Sequence, residues 1–185
     1  NTKKPKWLIK KRGRVFLWRE QGLGDEILFL SLIPDLIDKV DKIIIKIDKR
    51  LIPLYKRSLC KSIEFISEKD SLDETKYDYH LPMGSLPQYL RPTFKSFEVS
   101  KKLNLVVNHQ RHNEFRTRLI DNKYKKIVGV SWRSINKKFP TSSISLEKLI
   151  LGIYSPHILF VSLQYGKVKE EIYNIKIIHG IEILE

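Results

Sequence analysis

Cysteine is almost missing from this 185-residue chain: Cys60 stands alone, so no intrachain disulfide can form and a CxxC zinc or redox site is excluded. A reducing compartment fits. Cys60 sits in the basic, apolar stretch Leu59-Cys60-Lys61-Ser62-Ile63 with no His or Asp beside it, which reads as a packed structural thiol rather than a nucleophile. Nor does any apolar run approach the ~18 residues needed to cross a bilayer. The chain does not begin with Met, and the basic stretch Asn1 to Lys11 leads into no signal-like apolar core, so a fragment or processed chain is expected and secretion is not. Acidic residues are in deficit, 21 against 35 Lys and Arg, for a net charge of +14. That balance favours phosphates, nucleic acid or an anionic membrane surface as partners, although a genome-wide preference for lysine and isoleucine produces the same numbers. With 42% hydrophobic residues, 8 Gly, 8 Pro and no low-complexity tract, the chain can bury a core. Its length allows one full domain, or one and part of another.

Short β-branched runs alternate with helical or loop stretches, the pattern of βα units and a mostly parallel sheet. Strands are expected at Arg14–Trp18, Lys42–Ile47, Ile63–Ile66, Tyr77–Leu81, Ile127–Trp132, Ile158–Leu163 and Ile175–Ile178. Lys42–Ile47 is almost continuously apolar, as for a strand covered on both faces. Helices are expected at Glu26–Asp38, with Ile27, Leu28, Leu30, Leu32 and Leu36 toward a sheet and a break near Pro34, and at Asp48–Lys61, Asn108–Asp121, Leu146–Leu151 and Lys167–Tyr173. Pro82 to Pro92 reads as a loop with at most a short helix at Leu86–Leu90. The charged connector Asn122–Lys126 divides the chain into a first Rossmann-like α/β domain, 1–122, and a βαβαβ series, 123–185. The second is expected to be half of a doubly wound domain, truncated at Glu185.

Two strand ends carry chemistry. The first is Gln21-Gly22-Leu23-Gly24-Asp25, between a strand and a helix, where glycines permit close backbone approach and free N–H groups suit a polar or anionic ligand. Neither the GxGxxG dinucleotide fingerprint nor a P-loop is satisfied, so no nicotinamide or Walker nucleotide is expected. Asp25 is open to two readings, the plainer as helix N-cap and the other as a general base. The second is Ser131-Trp132-Arg133-Ser134, followed by Lys137 and Lys138, which could bind a phosphate-bearing ligand or form a solvated basic loop around a core Trp132. The loop Pro82-Met-Gly84-Ser85-Leu-Pro87 adds weaker candidates in Gly84 and Ser85. The five histidines lack metal-binding spacing, and no metal site is expected.

Trp18-Arg-Glu-Gln-Gly-Leu-Gly-Asp-Glu-Ile-Leu-Phe-Leu-Ser-Leu-Ile-Pro-Asp-Leu36 resembles the first βα turn of bacterial glycosyltransferases related to the ADP-heptose:lipopolysaccharide heptosyltransferases, particularly those found behind tetratricopeptide repeats. The resemblance continues through Leu81–Pro87, Val128–Ser134, Ser143–Glu147 and Phe160–Gly166, which contains Gln164. It implies a GT-B architecture of two Rossmann-like domains facing across a cleft, acceptor on the first and nucleotide-diphosphate sugar on the second, with no obligatory metal or cofactor. It also implies that Asp25 acts as base on the acceptor hydroxyl, and that Lys137 or Lys138, with Arg133 nearby, meets the donor phosphate. Gln21, Gly22, Gly24, Gly84, Ser85, Ser131 and Gln164 are further candidate substrate contacts. Trp18-Arg19 departs from relatives with a small or acidic residue after Trp, and the family's donor segment would follow the last strand. The implied function is sugar transfer to a glycan, lipopolysaccharide or protein in the cytoplasm, peripheral to the inner membrane. The alternatives are a non-catalytic interaction domain or a basic nucleic-acid-binding module, the latter disfavoured because no RRM, KH or zinc-finger pattern occurs.

Overall fold

A computed structural model describes residues 2–59, 62–119, 124–134 and 143–185. Cys60, Lys137 and Lys138 lie outside them. The chain divides into two compact units, Asn1–His109 and Gln110–Glu185, each with its own parallel sheet. The α/β class and parallel pairing expected from the alternating runs are therefore present. Among the described residues no helix is long and apolar enough to cross a membrane.

In the first unit, β1 (Arg14–Trp18), β2 (Lys42–Ile47), β3 (Ile63–Ser67) and β4 (Tyr79–Pro82) form a sheet of order β3-β2-β1-β4. The intervening helices are α1 (Leu23–Leu30), α2 (Ile33–Leu36), α3 (Ile52–Ser58), α4 (Leu86–Leu90) and α5 (Lys95–Glu98). Side chains alternate across a strand, and the register pairs Val15 with Ile43, Leu17 with Ile45 and Leu81, and Ile45 with Phe65. All of these face one core with Leu30, Ile33, Leu36, Tyr55 and Leu86 of the helices. The opposite face carries Phe16, Ile44, Glu64 and His80 in register. A chain returning from β3 to the far side of β1 must cross that second face, and here the crossing contains only a 3-10 turn, Glu74–Lys76, instead of a helix. Tyr77 lies against Phe16 there, ring centroids 5.0 Å apart. Thus β2 is covered by helices on one face only, with Ile44 buried but Lys42 and Lys46 half-exposed on the other.

The helix expected at Glu26–Asp38 is in fact α1, α2 and a 3-10 turn, Ile37–Lys39. The interruption falls at Ser31 and Leu32, so that Pro34, which lacks an N–H, occupies the first turn of α2 where none is needed. Its buried face also differs: Ile27 and Leu28 are exposed, whereas Glu26, Leu30 and Ile33 point inward. The helix at Asp48–Lys61 contracts to α3, because Asp48 turns back to bind Arg50 and Pro53 fixes the first turn.

The second unit contains α6 (His109–Leu119), which begins at its boundary, then β5 (Lys126–Val130), α7 (Leu146–Ile153), β6 (Ile158–Ser162), α8 (Lys169–His179) and β7 (Ile183–Leu184). Its sheet runs β5-β6-β7. The strand expected at Ile175–Ile178 is helical. Val168, Ile172 and Ile175 are buried at helical spacing while Ile177 and Ile178 are exposed, and the helix ends at Gly180, whose φ of 66° suits a residue without Cβ. The last strand lies beyond it, at Ile183–Leu184.

Candidate functional site

In the first unit the strand order reverses between β1 and β4, since β2 follows on one side of β1 and β4 returns to the other. At such a reversal the loops leaving the carboxyl ends diverge and open a crevice, the usual ligand position in an open α/β sheet. The structure brings Gln21, Gly22, Gly24 and Asp25 after β1 together with Gly84 and Ser85 after β4. Glu20 Oε1 accepts a hydrogen bond from the Gly84 N–H at 3.2 Å. A Cβ on Gly84 would lie 2.5 Å from that oxygen and 3.1 Å from Gln21 Nε2, so the two loops meet this closely because residue 84 has no side chain. Around Gly24 the space a Cβ would take is open.

Asp25 is not the helix N-cap; Gly22 is. Asp25 stands at the third helical position, half-exposed, and its Oδ2 accepts the Gly22 N–H at 3.0 Å. This bond satisfies one of the orphan donors at the helix start and fixes the carboxylate's direction. The other oxygen has no partner among the described residues, and that is the arrangement a positioned proton acceptor requires.

Next to it stands a carboxylate that the sequence reading passed over. Glu26 is 2% exposed, its Oε2 accepts the Asp48 N–H at 2.8 Å after β2, and Arg19 Nε lies 2.6 Å from Oε1. Burial raises the Glu26 pKa above its ordinary value, against the opposing pull of the Asp48 N–H and Arg19. Asp48 itself is held well below the usual carboxylate range by hydrogen bonds from Arg50. Arg19 also reaches the Gln21 carbonyl at 3.3 Å, so the buried carboxylate ties the turn after β1 to the turn after β2. The only signal in the sequence was a charged residue at i−4 from Leu30, inside the apolar phase of α1.

In the second unit Ser131, Trp132 and Arg133 follow β5, and Gln164 follows β6. The buried Gln164 Oε1 accepts from Ser131 Oγ at 3.1 Å, the Trp132 N–H at 3.0 Å and the Arg133 N–H at 3.0 Å. Gln164 therefore clasps the two strand ends. The guanidinium of Arg133 pairs with Glu171 and donates to the Lys167 carbonyl at 2.8 Å, while Trp132 Nε1 donates to Glu171 at 2.7 Å. Of Ser131, Trp132, Arg133 and Gln164, Ser131 alone is exposed. Leucine at 164 would orphan two backbone donors at once, and Gln164→Leu is expected to cost about 1–3 kcal/mol. Urea unfolding followed by circular dichroism checks this.

No group of three or more metal-ligating side chains occurs among the described residues. The chain is 27% identical to the FlbA protein of Caulobacter vibrioides over an alignment of 190 positions, which covers 92% of this chain and 31% of that protein. It thus spans about a third of the length of that curated relative. No protein-family model and no solved structure matches it.

Proposed function

We propose that the protein carrying this chain is a heptosyltransferase-like glycosyltransferase of the GT-B type, acting in the cytoplasm on a nucleotide-diphosphate sugar and a glycan, lipopolysaccharide or protein acceptor. The observation that carries this reading is Asp25: a half-exposed carboxylate at the strand-order reversal, aimed by the Gly22 N–H. In the reaction the acceptor oxygen bonds to the anomeric carbon, its proton passes to Asp25, and the bond from that carbon to the diphosphate breaks with its electrons leaving on the phosphate oxygen. Of the cations that the resemblance assigns to the departing diphosphate, Arg133 is already paired with Glu171, which leaves that role to Lys137 and Lys138.

The test is release of nucleoside diphosphate dependent on acceptor. Asp25→Asn keeps the shape but cannot take the proton, and kcat should fall about a hundredfold or more with donor affinity unchanged. Undiminished turnover in the variant removes Asp25 from the base role. One observation favours a second reading, a non-catalytic interaction domain: Arg133 and Gln164 are both committed to internal partners. In that case no diphosphate is released by the unaltered protein from any donor, and Asp25→Asn changes nothing.

A further inference from the structure

β1, β2 and β4 present Phe16, Trp18, Lys46 and His80 on the sheet face away from α1, the face that the crossing after β3 passes without a helix. A helix there would have covered these side chains. In its place Leu72, Glu74 and Tyr77 of the crossing, with Thr2 of the amino-terminal segment, stand around them and leave a cavity of about 470 Å³. Its floor is aromatic. Trp18 Nε1 donates to His80 Nδ1 at 3.2 Å, and the rings are inclined by only 27° with centroids 6.5 Å apart, so an edge-to-edge hydrogen bond joins them into one plate. Burial lowers the His80 pKa, which keeps that nitrogen free to accept. The rim is polar, with capacity to spare. Lys46 Nζ gives one hydrogen bond, to the Asp70 carbonyl at 2.7 Å, of the three that an ammonium can give. Glu74 Oε1 accepts the Lys3 N–H at 3.2 Å, and Oε2 has no partner among the described residues. Thr2 Oγ1 accepts from the Tyr77 hydroxyl at 2.9 Å and the Lys4 N–H at 3.1 Å, which leaves its own proton to donate.

We propose that this cavity binds the ring of an uncharged sugar. A pyranose has a face of C–H bonds, whose slightly positive hydrogens suit the negative face of an aromatic ring, and an edge of hydroxyls that both donate and accept. The Trp18–His80 plate meets the first, and Lys46 with Glu74 meets the second. A nucleotide would also stack on such a plate, but its phosphate calls for cations in excess. Here Lys46, the one cation of the lining, is matched by one carboxylate, Glu74. A wholly apolar ligand would strip water from both charges and return no hydrogen bond. The cavity lies across the sheet from α1, which carries Asp25, so it is a holding site separate from the crevice and does not rest on the sugar-transfer reading.

Saturation-transfer NMR of the chain with the methyl glycosides of glucose, galactose and mannose tests it, each added without any nucleotide-sugar donor so that the result stands apart from diphosphate release. A single ring makes few contacts, so binding of at least one glycoside with a Kd on the order of 1–10 mM is expected, with the strongest transfer to the C–H protons of one ring face. Trp18→Leu removes half of the plate and should weaken binding about tenfold, while Trp18→Phe should recover part of the loss. Lys46→Met and Glu74→Gln, at half-exposed rim positions, should each weaken it about threefold or more, and circular dichroism verifies that these variants fold. Phe94→Ser, at a position 95% exposed elsewhere in the unit, should leave binding unchanged. The proposal is overturned if none of the glycosides binds, or if Trp18→Leu binds them as the unaltered protein does. It is also overturned if adenosine monophosphate binds more tightly than the glycosides and loses that binding with Trp18→Leu, since the plate would then be a base-stacking surface.

Discussion

Trp7→Ala is expected to lower the stability of the first unit by about 3–5 kcal/mol, the range for emptying the site of a fully buried large aromatic side chain. Trp7 is wholly buried, meets the edge of Tyr89 with ring centroids 5.6 Å apart, and donates from Nε1 to the Lys11 carbonyl at 2.8 Å. Its backbone N–H bonds the His80 carbonyl at 2.9 Å, and the His80 N–H bonds the Pro5 carbonyl at 3.1 Å, so the segment lies along β4 like an additional strand. Removing the indole leaves a void between β4 and α4 and frees the segment that closes the edge of β4. Urea unfolding measures the loss. Trp7→Phe, which keeps an aromatic ring but not the indole donor, should retain more than half of the difference. A loss below about 1 kcal/mol for alanine would mean that the segment contributes contact without holding the sheet.

The next largest effect is expected from Arg19→Met, and it depends on pH. The change leaves Glu26 buried with the Asp48 N–H but without its counter-charge. Breaking a fully buried pair costs about 3–5 kcal/mol; because Arg19 retains 27% of its side-chain exposure, about 2–3 kcal/mol is expected at pH 7. The sign follows from the direction of the shift. Glu26 has a folded pKa above its ordinary 4.5, so the folded state holds the proton more tightly, and stability falls as pH rises from 4.5 to the folded value. Without Arg19 that folded value climbs further, and the window of falling stability extends upward. The deficit of the variant should therefore be present at pH 7 and shrink toward zero below pH 4.5. Glu26→Gln in the Arg19→Met background should recover most of it. A deficit of equal size at pH 4 and pH 7 would assign Arg19 a packing role instead. Asp78, drawn down to about 2 by hydrogen bonds from Arg14, acts in the opposite sense: its contribution is present above its ordinary 3.8 and fades as pH falls through 2.

The central strands were legible because Arg14–Trp18 and Lys42–Ile47 are short apolar runs set between polar or turn residues, and both form over their full lengths, although the unbroken run of β2 suggested cover on both faces where helices supply it on one. The loops bearing Gln21, Gly22, Gly84 and Ser85 were legible as strand-end turns, although only the order β3-β2-β1-β4 shows that they are neighbours. What escaped was decided by long-range contacts. Trp7 lies in a lysine-rich stretch whose composition is that of a tail, and the groups that seat it, His80 and Tyr89, are more than seventy residues away. Ile175 to Ile178 has the residues of a strand; packing of Ile172 and Ile175 on the sheet made it a helix. Glu26 went unremarked because only the phase of α1 turns it inward. Arg133 reads as a free cation because its acid, Glu171, is supplied by α8.

The placement of Trp7 has a consequence for the order in which the chain can settle during synthesis. Its strand and ring contacts belong to His80 and Tyr89, so a segment synthesised ahead of the rest of the first unit is among the last parts of that unit to find its seat. Until Tyr89 has emerged, that tryptophan is a greasy ring among lysines without its seat, and the nascent chain carries it exposed while β1, β2 and β3 assemble.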